Sequence, residues 1–382
     1  MFTHTSKIPS RSRVINCRKL VNGLTLVELL VAMLLGIFII GGLISVFLSN
    51  QQNVKTNENL AMVQENTRFA FDQLSREVRD AGSNPCGVRA VNSVVRTATG
   101  TPWWGDWEAG TLRGYDGAIN SPGTTLTFST SVTDRVTNTD AIVVMRTTNN
   151  NNDMRTIASH DIGSNRFTFN TPANINKQDL LFVCDSVSGT IFEAVTPNST
   201  GPNTNITHDS VPPSSNCSDL LGWAPGVNCA TNAVTKTFAV GSIITKFDPA
   251  IWYIGNNRDG GRSLYRETMH KSSSPDVITT ERREIVADVQ DMQIQYLTRS
   301  NPSATATGTA TIPVIATTWV DASTISAQPG DWSAVNSNEA IAVRITLTFQ
   351  SKEAVGTDGT ANTRLQRQTI SVISLRAREI AR

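Results

Sequence analysis

A single carboxylate, Glu28, stands at the head of an almost unbroken apolar run that extends to Leu48. A charged side chain at membrane depth costs about 3 kcal/mol, so such a group usually marks a function that supplies it with a partner. The chemistry it offers is ion pairing, which sets register between packed helices and turns over no substrate. Other reactive candidates are sparse. Beyond the basic N-terminal stretch the histidines are His160, His208 and His270, scattered without metal-ligand spacing and read as exposed, solvated side chains. No G-x-S-x-G, H-E-x-x-H or P-loop pattern occurs, so the motif-borne enzyme chemistries lack their residues. Asp288 and Asp291 are a carboxylate pair for an unmotified hydrolase, but three-residue spacing sets them on opposite faces of a strand. The Asn149 to Asn152 run reads as a solvated turn, because only Asp153 adds a carboxylate for an ion. Trp103, Trp104 and Trp107 lie in a Gly- and Pro-rich stretch and are the candidate surface contact for a sugar or a partner, core packing being the commoner fate of such rings.

These groups must be positioned by a few recognisable elements. Residues 1–23 carry Lys7, Arg11, Arg13, Arg18 and Lys19 with no acid, and without these five the 33 bases fall to 28 against 32 acids, net −4. The body is mildly acidic and has no dense basic stripe, which excludes a nucleic-acid footprint. The run from Leu24 to Leu48 is too long for a signal-peptide core and about long enough to cross a bilayer. A small-x-small cleavage site after it is missing, Ser45 to Ser49 offering only a poor imitation. Bases before the run and none within it predict a cytoplasmic N-terminal side and an exported body.

Past the run the sequence turns polar but keeps a helical stripe of Leu60, Val63, Thr67, Ala70, Leu74, Val78 and Ala81, ended by Gly82 and Pro85. One helix from about Thr25 to Ala81 is predicted, roughly 85 Å long at 1.5 Å per residue. Its first half is apolar all round and spans the membrane, with Gly36, Gly41 and Gly42 as packing faces or bending points. Its second half is apolar on one face and packs on a globular domain.

From residue 87 Thr, Ser, Asn and Gly dominate and β-branched alternation takes over. The clearest strand is Ala340 to Phe349; Val289 to Leu297, Ile370 to Leu375, Thr124 to Ser129, Ala141 to Arg146 and Asp179 to Val183 follow. Ile251 to Ile254 and Ser263 to Arg266 flank an Asn-, Asp- and Gly-rich hairpin turn. Thr196 to Asn232 and Ser300 to Asn338 read as irregular insertions. The expected fold class is α+β, a long N-terminal helix packed on a β-rich, disulfide-containing domain over residues 83–382. Cys17 lies in the basic stretch; the exported Cys86, Cys184, Cys217 and Cys229 allow two disulfides in three connectivities. Nearness in sequence suggests Cys217 with Cys229, leaving Cys86 with Cys184.

The heptapeptide Gly23-Leu24-Thr25-Leu26-Val27-Glu28-Leu29 resembles the class III signal of type IV pilins and type II secretion pseudopilins. The resemblance implies that a prepilin peptidase removes residues 1–23 between Gly23 and Leu24, that Leu24 is N-methylated, and that Glu28 is the assembly residue. The family usually has Phe where this chain has Leu24, a mild departure. Segments around Trp252, Ser263 to Arg266, Ile285 to Tyr296, Ala342 to Ile345 and Ser374 to Arg376 are similar to PilW-type minor pilins, relatives of the J-type pseudopilins. The region from Gly87 to Ala250 has no such likeness.

The implied fold is type IV pilin-like, with a transmembrane segment at 24–49, an amphipathic half at 50–82 and no cofactor or metal. The implied role is a non-enzymatic minor pilin that primes pilus assembly at the tip, first held in the inner membrane and then in a surface fimbrium serving adhesion and twitching motility. Its implied partners are other minor pilins, the major pilin, the peptidase, the inner-membrane assembly platform and a tip adhesin. A J-type pseudopilin capping a secretion pseudopilus is the alternative, with a membrane-tethered adhesin or exported enzyme behind it.

Overall fold

The computed structural model describes residues 25–96, 102–119, 126–148, 154–169, 175–200, 203–222, 234–271, 278–300, 314–326, 332, 338–354 and 364–376. In chain order the elements are α1 (Leu26–Arg79), β1 (Val91–Ser93), β2 (Leu112–Tyr115), β3 (Ala141–Thr147), β4 (Met154–Arg155), β5 (Arg166–Phe169), β6 (Leu180–Cys184), β7 (Gly189–Glu193), β8 (Asn198–Thr200) and β9 (Asn203–Thr207). They continue with β10 (Ile243–Asn256), β11 (Arg262–Lys271), β12 (Ile278–Ala287), β13 (Val289–Ser300), α2 (Ala322–Ser326), β14 (Asn338–Ala354) and β15 (Arg364–Ser374). The chain divides into two compact units, residues 1–57 and 58–382.

The first unit holds the apolar start of α1, whose side chains from Leu26 to Leu48 are exposed almost throughout. The helix is long and apolar enough to cross a membrane and fits a single-pass anchor. It runs unbroken through Gly36, Gly41 and Gly42, where a side chain would meet open space.

The second unit begins with the rest of α1. Val63, Ala70, Leu74, Val78 and Ala81 of the expected stripe are buried, while Leu60 is exposed and Thr67 turns its hydroxyl back to the Val63 carbonyl. The helix stops where sequence requires: Gly82 takes the left-handed conformation at φ 77° and its N–H donates to the Met145 carbonyl of β3 at 2.8 Å.

A nine-stranded sheet follows the order β1-β7-β6-β10-β11-β12, with β2, β3 and β4 attached through β3 and β10. β3 and β10 alternate between two cores. Ile142, Val144, Trp252 and Ile254 join the helix stripe in one cluster, and Val143, Met145, Ile251 and Tyr253 join the opposite one. Burial on both faces explains why Ala141 to Met145 is a continuous apolar run. The β10–β11 hairpin closes over Asn256↔Arg262, with Asn257 Oδ1 accepting from the N–H groups of Asp259 and Gly261. A second sheet, β13-β14-β15, turns Val343, Ile345, Leu347 and Phe349 toward the helix cluster. A third, β5-β9-β8, covers a cluster built on Phe167, Phe169, Phe192 and Phe238.

Of the expected strands, only Thr124 to Ser129 fails. Its described part, from residue 126, makes one isolated bridge, Phe128↔Arg135, because the Arg135 side chain takes up the carbonyls of Tyr115, Asp116, Ile119 and Thr139 and organises the region as loop.

Candidate assembly site and helix anchor

Thr25 caps α1: its Oγ1 accepts the Glu28 N–H at 3.3 Å, and Thr25-x-x-Glu28 has the spacing of a capping box. Glu28 occupies the third helical position, exposed, and makes no ion pair among the described residues. Gly23 and Leu24 lie outside the described residues. The site at the head of the helix is thus a carboxylate uncovered by its own chain, its backbone N–H already bonded to Thr25.

The second charged feature of α1 is Glu77, in the last turn of the helix. Its Oε2 accepts from the Trp252 indole N–H at 2.7 Å, and both oxygens accept from Arg266 Nε at 3.0 and 3.1 Å. Arg146 Nη2 reaches Glu77 Oε1 at 3.1 Å and Asp248 Oδ2 at 2.7 Å. Arg266 Nη2 completes the ring on Asp248 at 2.9 Å. Two carboxylates and two guanidiniums therefore alternate in a nearly buried square between helix and sheet. Burial opposes the charge on Arg266, yet Asp248 and Glu77 together hold its guanidinium above the ordinary arginine value. Such a network fixes geometry, because a displaced charge would lose its partners at a mostly buried interface between helix and sheet.

Trp252 and Arg266 lie on the central hairpin, and the strands that follow it close over the helix. Residues 251–381 match the family model of type IV pilus-assembly protein W. No curated protein and no solved structure matches the chain significantly. The match covers roughly a third of the chain and ties it to type IV pilus assembly. It describes a pilus assembly component rather than an enzyme, and it fits the cell envelope as the setting of the apolar helix. The matched W-family region supplies Trp252 and Arg266 to the anchor, while Glu77, Arg146 and Asp248 come from outside it.

Sequence reasoning missed Glu77, and its signal was present: Ala70, Leu74, Glu77 and Ala81 recur at three- and four-residue steps, placing an acid inside the buried stripe.

The tryptophan expectation is corrected. Trp103, Trp104 and Trp107 are only 7%, 5% and 9% exposed and belong to the core cluster with Phe182 and Phe247. Trp107 sits 5.8 Å from Phe182 and 6.0 Å from Phe247, and Arg113 pins the loop by donating to the Trp103 carbonyl at 2.7 Å. The rings are the apolar mass that fills this face of the large sheet, so they form no exposed contact.

The histidine expectation is corrected as well. His160 and His208 are buried, with their Nε2 atoms 2.7 Å apart and His160 stacked on Phe167 at 4.3 Å. At that distance one ring must donate and the other accept, so the two Nε2 atoms cannot both carry a proton. Burial first, then the neighbouring His160, pushes His208 down to about 3, and burial lowers His160 too. His270 remains exposed beside Glu281 at 3.6 Å.

Asp288 is the corner between β12 and β13, at φ 61°, and Asp291 on β13 accepts from the Gln293 amide at 2.9 Å. Burial raises the Asp288 carboxyl. Among the described residues no group of three or more His, Cys, Asp or Glu side chains is arranged to hold a metal. Cys86 and Cys184 form a disulfide, the pairing expected by elimination. Cys217 is also disulfide-bonded, and Cys229 lies outside the described residues, as does the run from Asn149 to Asp153.

Proposed function

We propose that this chain is a minor pilin: a non-catalytic subunit that joins other minor pilins, and through them the major pilin, in the complex that primes type IV pilus assembly and sits at the fibre tip. The observation that carries the reading is the pairing of a pilus-assembly match over residues 251–381 with an apolar N-terminal helix that presents Glu28 at its third position. Prepilin peptidase cuts after Gly23, Leu24 becomes the methylated N-terminus, and its cationic amine lies at the depth of a neighbour's Glu28. A carboxylate in hydrocarbon is stable when paired, and a pair at fixed depth sets the axial register of the incoming subunit. The N-terminal side faces the cytoplasm before assembly and the β-rich body is exported.

Glu28→Ala isolates the carboxylate, because the Glu28 N–H bond to Thr25 is a backbone bond that alanine keeps. The variant is expected to lose its leader normally and to leave cells with few surface fibres. Normal fibre number would contradict the mechanism. Deletion of the whole chain is expected to abolish piliation with secretion intact; the opposite pattern would mark a secretion pseudopilin.

A further inference from the structure

The β13-β14-β15 sheet treats its two edges differently. The β13 edge is covered by the segment at 314–320, through bridges Tyr296↔Val320 and Arg299↔Ile315 and three main-chain hydrogen bonds at 2.8, 3.0 and 2.8 Å. On the other side β15 pairs with β14 alone among the described residues. The direction of its free groups can be read from the ladder. Leu375 N–H donates to the Ile341 carbonyl opposite it, so odd-numbered residues of β15 face β14. The N–H and C=O groups of Gln366, Gln368, Ile370, Val372 and Ser374 therefore point out of the sheet's open edge. The side chains of the same five residues are exposed. Two of them are large and apolar, Ile370 and Val372, each 59% exposed and standing on the outer face beside Thr346 and Arg344 of β14.

A long open edge with alternating apolar side chains is what an added strand requires: main-chain bonds supply affinity and alternate side chains supply selectivity. Charge then selects the occupant. Residues 364–376 hold Arg364, Arg367 and Arg376 with no acid, and Arg344, held by Gln295 and the Trp319 ring, adds a cation on the outer face; the carboxylates placed there among the described residues, Asp291 on β13 and Asp321 bonded to Gln295 of β13, stand at the far side of the sheet from β15. Pairing two copies of β15 would set these arginines against each other, and like charges across a strand pair destabilise it. We infer that β15 receives an extended, acidic strand of a different polypeptide, which extends the sheet through the main-chain groups of residues 366–374 and covers Ile370 and Val372. This surface is separate from Glu28, and its test does not depend on fibre formation.

The test uses the purified full chain in detergent micelles and three synthetic strands: alternating valine and glutamate, its lysine counterpart, and the glutamate strand interrupted by proline. Only the uninterrupted glutamate strand is expected to bind by fluorescence anisotropy, more weakly as salt rises. It is also expected to slow amide hydrogen exchange at Gln366, Gln368, Ile370, Val372 and Ser374. Ile370→Pro removes one outward donor without touching the β14 ladder and is expected to abolish binding; Val372→Glu, which leaves the backbone intact, removes an apolar contact and repels the glutamate strand, and is expected to weaken it. Binding that leaves those five amides fast, equal binding of the lysine strand, or no binding at all would overturn the inference. Protection of the same amides in the chain alone, lost on dilution, would overturn it in favour of a second copy.

Discussion

At the scale of single residues, charge at two points of one helix does different work. Glu28 is exposed and makes no ion pair among the described residues, whereas Glu77 is bonded by Trp252, Arg266 and Arg146. Removing Glu77 takes the acceptor from the Trp252 N–H and leaves Asp248 alone to balance two mostly buried guanidiniums; breaking a buried ion pair costs about 3–5 kcal/mol. Glu77→Ala is therefore expected to cost that much in urea unfolding of the detergent-solubilised chain, with Glu77→Gln costing less because its amide oxygen still accepts from Trp252. A loss below about 1 kcal/mol would show that the network is dispensable. The buried histidines predict a pH dependence. Between an ordinary value of 6.5 and about 3 the unfolded chain binds a proton at His208 that the folded chain refuses, so stability falls as pH drops through that window. The slope approaches 1.4 kcal/mol per pH unit, roughly, for each such proton. Replacing His160 and His208 together by phenylalanine is expected to flatten the unfolding curve there. Neither group was legible as a site in sequence. A histidine pair 48 residues apart meets only through the β5–β9 pairing, and Glu77 shows only as an acid on a stripe.

At the scale of elements, legibility follows whether a local pattern decides the structure. α1 was readable to within about two residues because its apolar run, its stripe and Gly82 all act locally. β14, β13, β15, β3 and β6 were readable from alternation or from short apolar runs. β1, β4, β8 and β9 are short, polar or both, and exist because tertiary neighbours pair with them. The Trp103 loop shows the same limit: a Gly- and Pro-rich stretch advertises exposure, but a large sheet with an open apolar face overrides it. The Cys86–Cys184 bond joins the turn after α1 to the end of β6 and closes a loop with a sequence separation of 98. By chain entropy a loop of that size is worth about 4–5 kcal/mol. Replacing both cysteines by serine is expected to lower the urea midpoint accordingly, measured under oxidising conditions. An unchanged midpoint would mean that the disulfide adds little to a fold already fixed by its cores.

At the scale of the whole molecule, the proposed minor pilin would divide its labour among three parts. The apolar start of α1 is long enough to cross a membrane, a mostly buried ion square fixes the second half of the helix to the central hairpin, and the β-rich body would carry the surfaces that meet other subunits. The proposed role requires that residues 1–23 be removed before assembly, since the amine that pairs with Glu28 is created by that cut. The intact mass of the exported protein tests this most directly. The account predicts a chain beginning at Leu24, one added methyl group, and about 4 mass units lost to two disulfides. A mass that retains residues 1–23, or one that shows cleavage beyond the apolar run near Ser49, would contradict it.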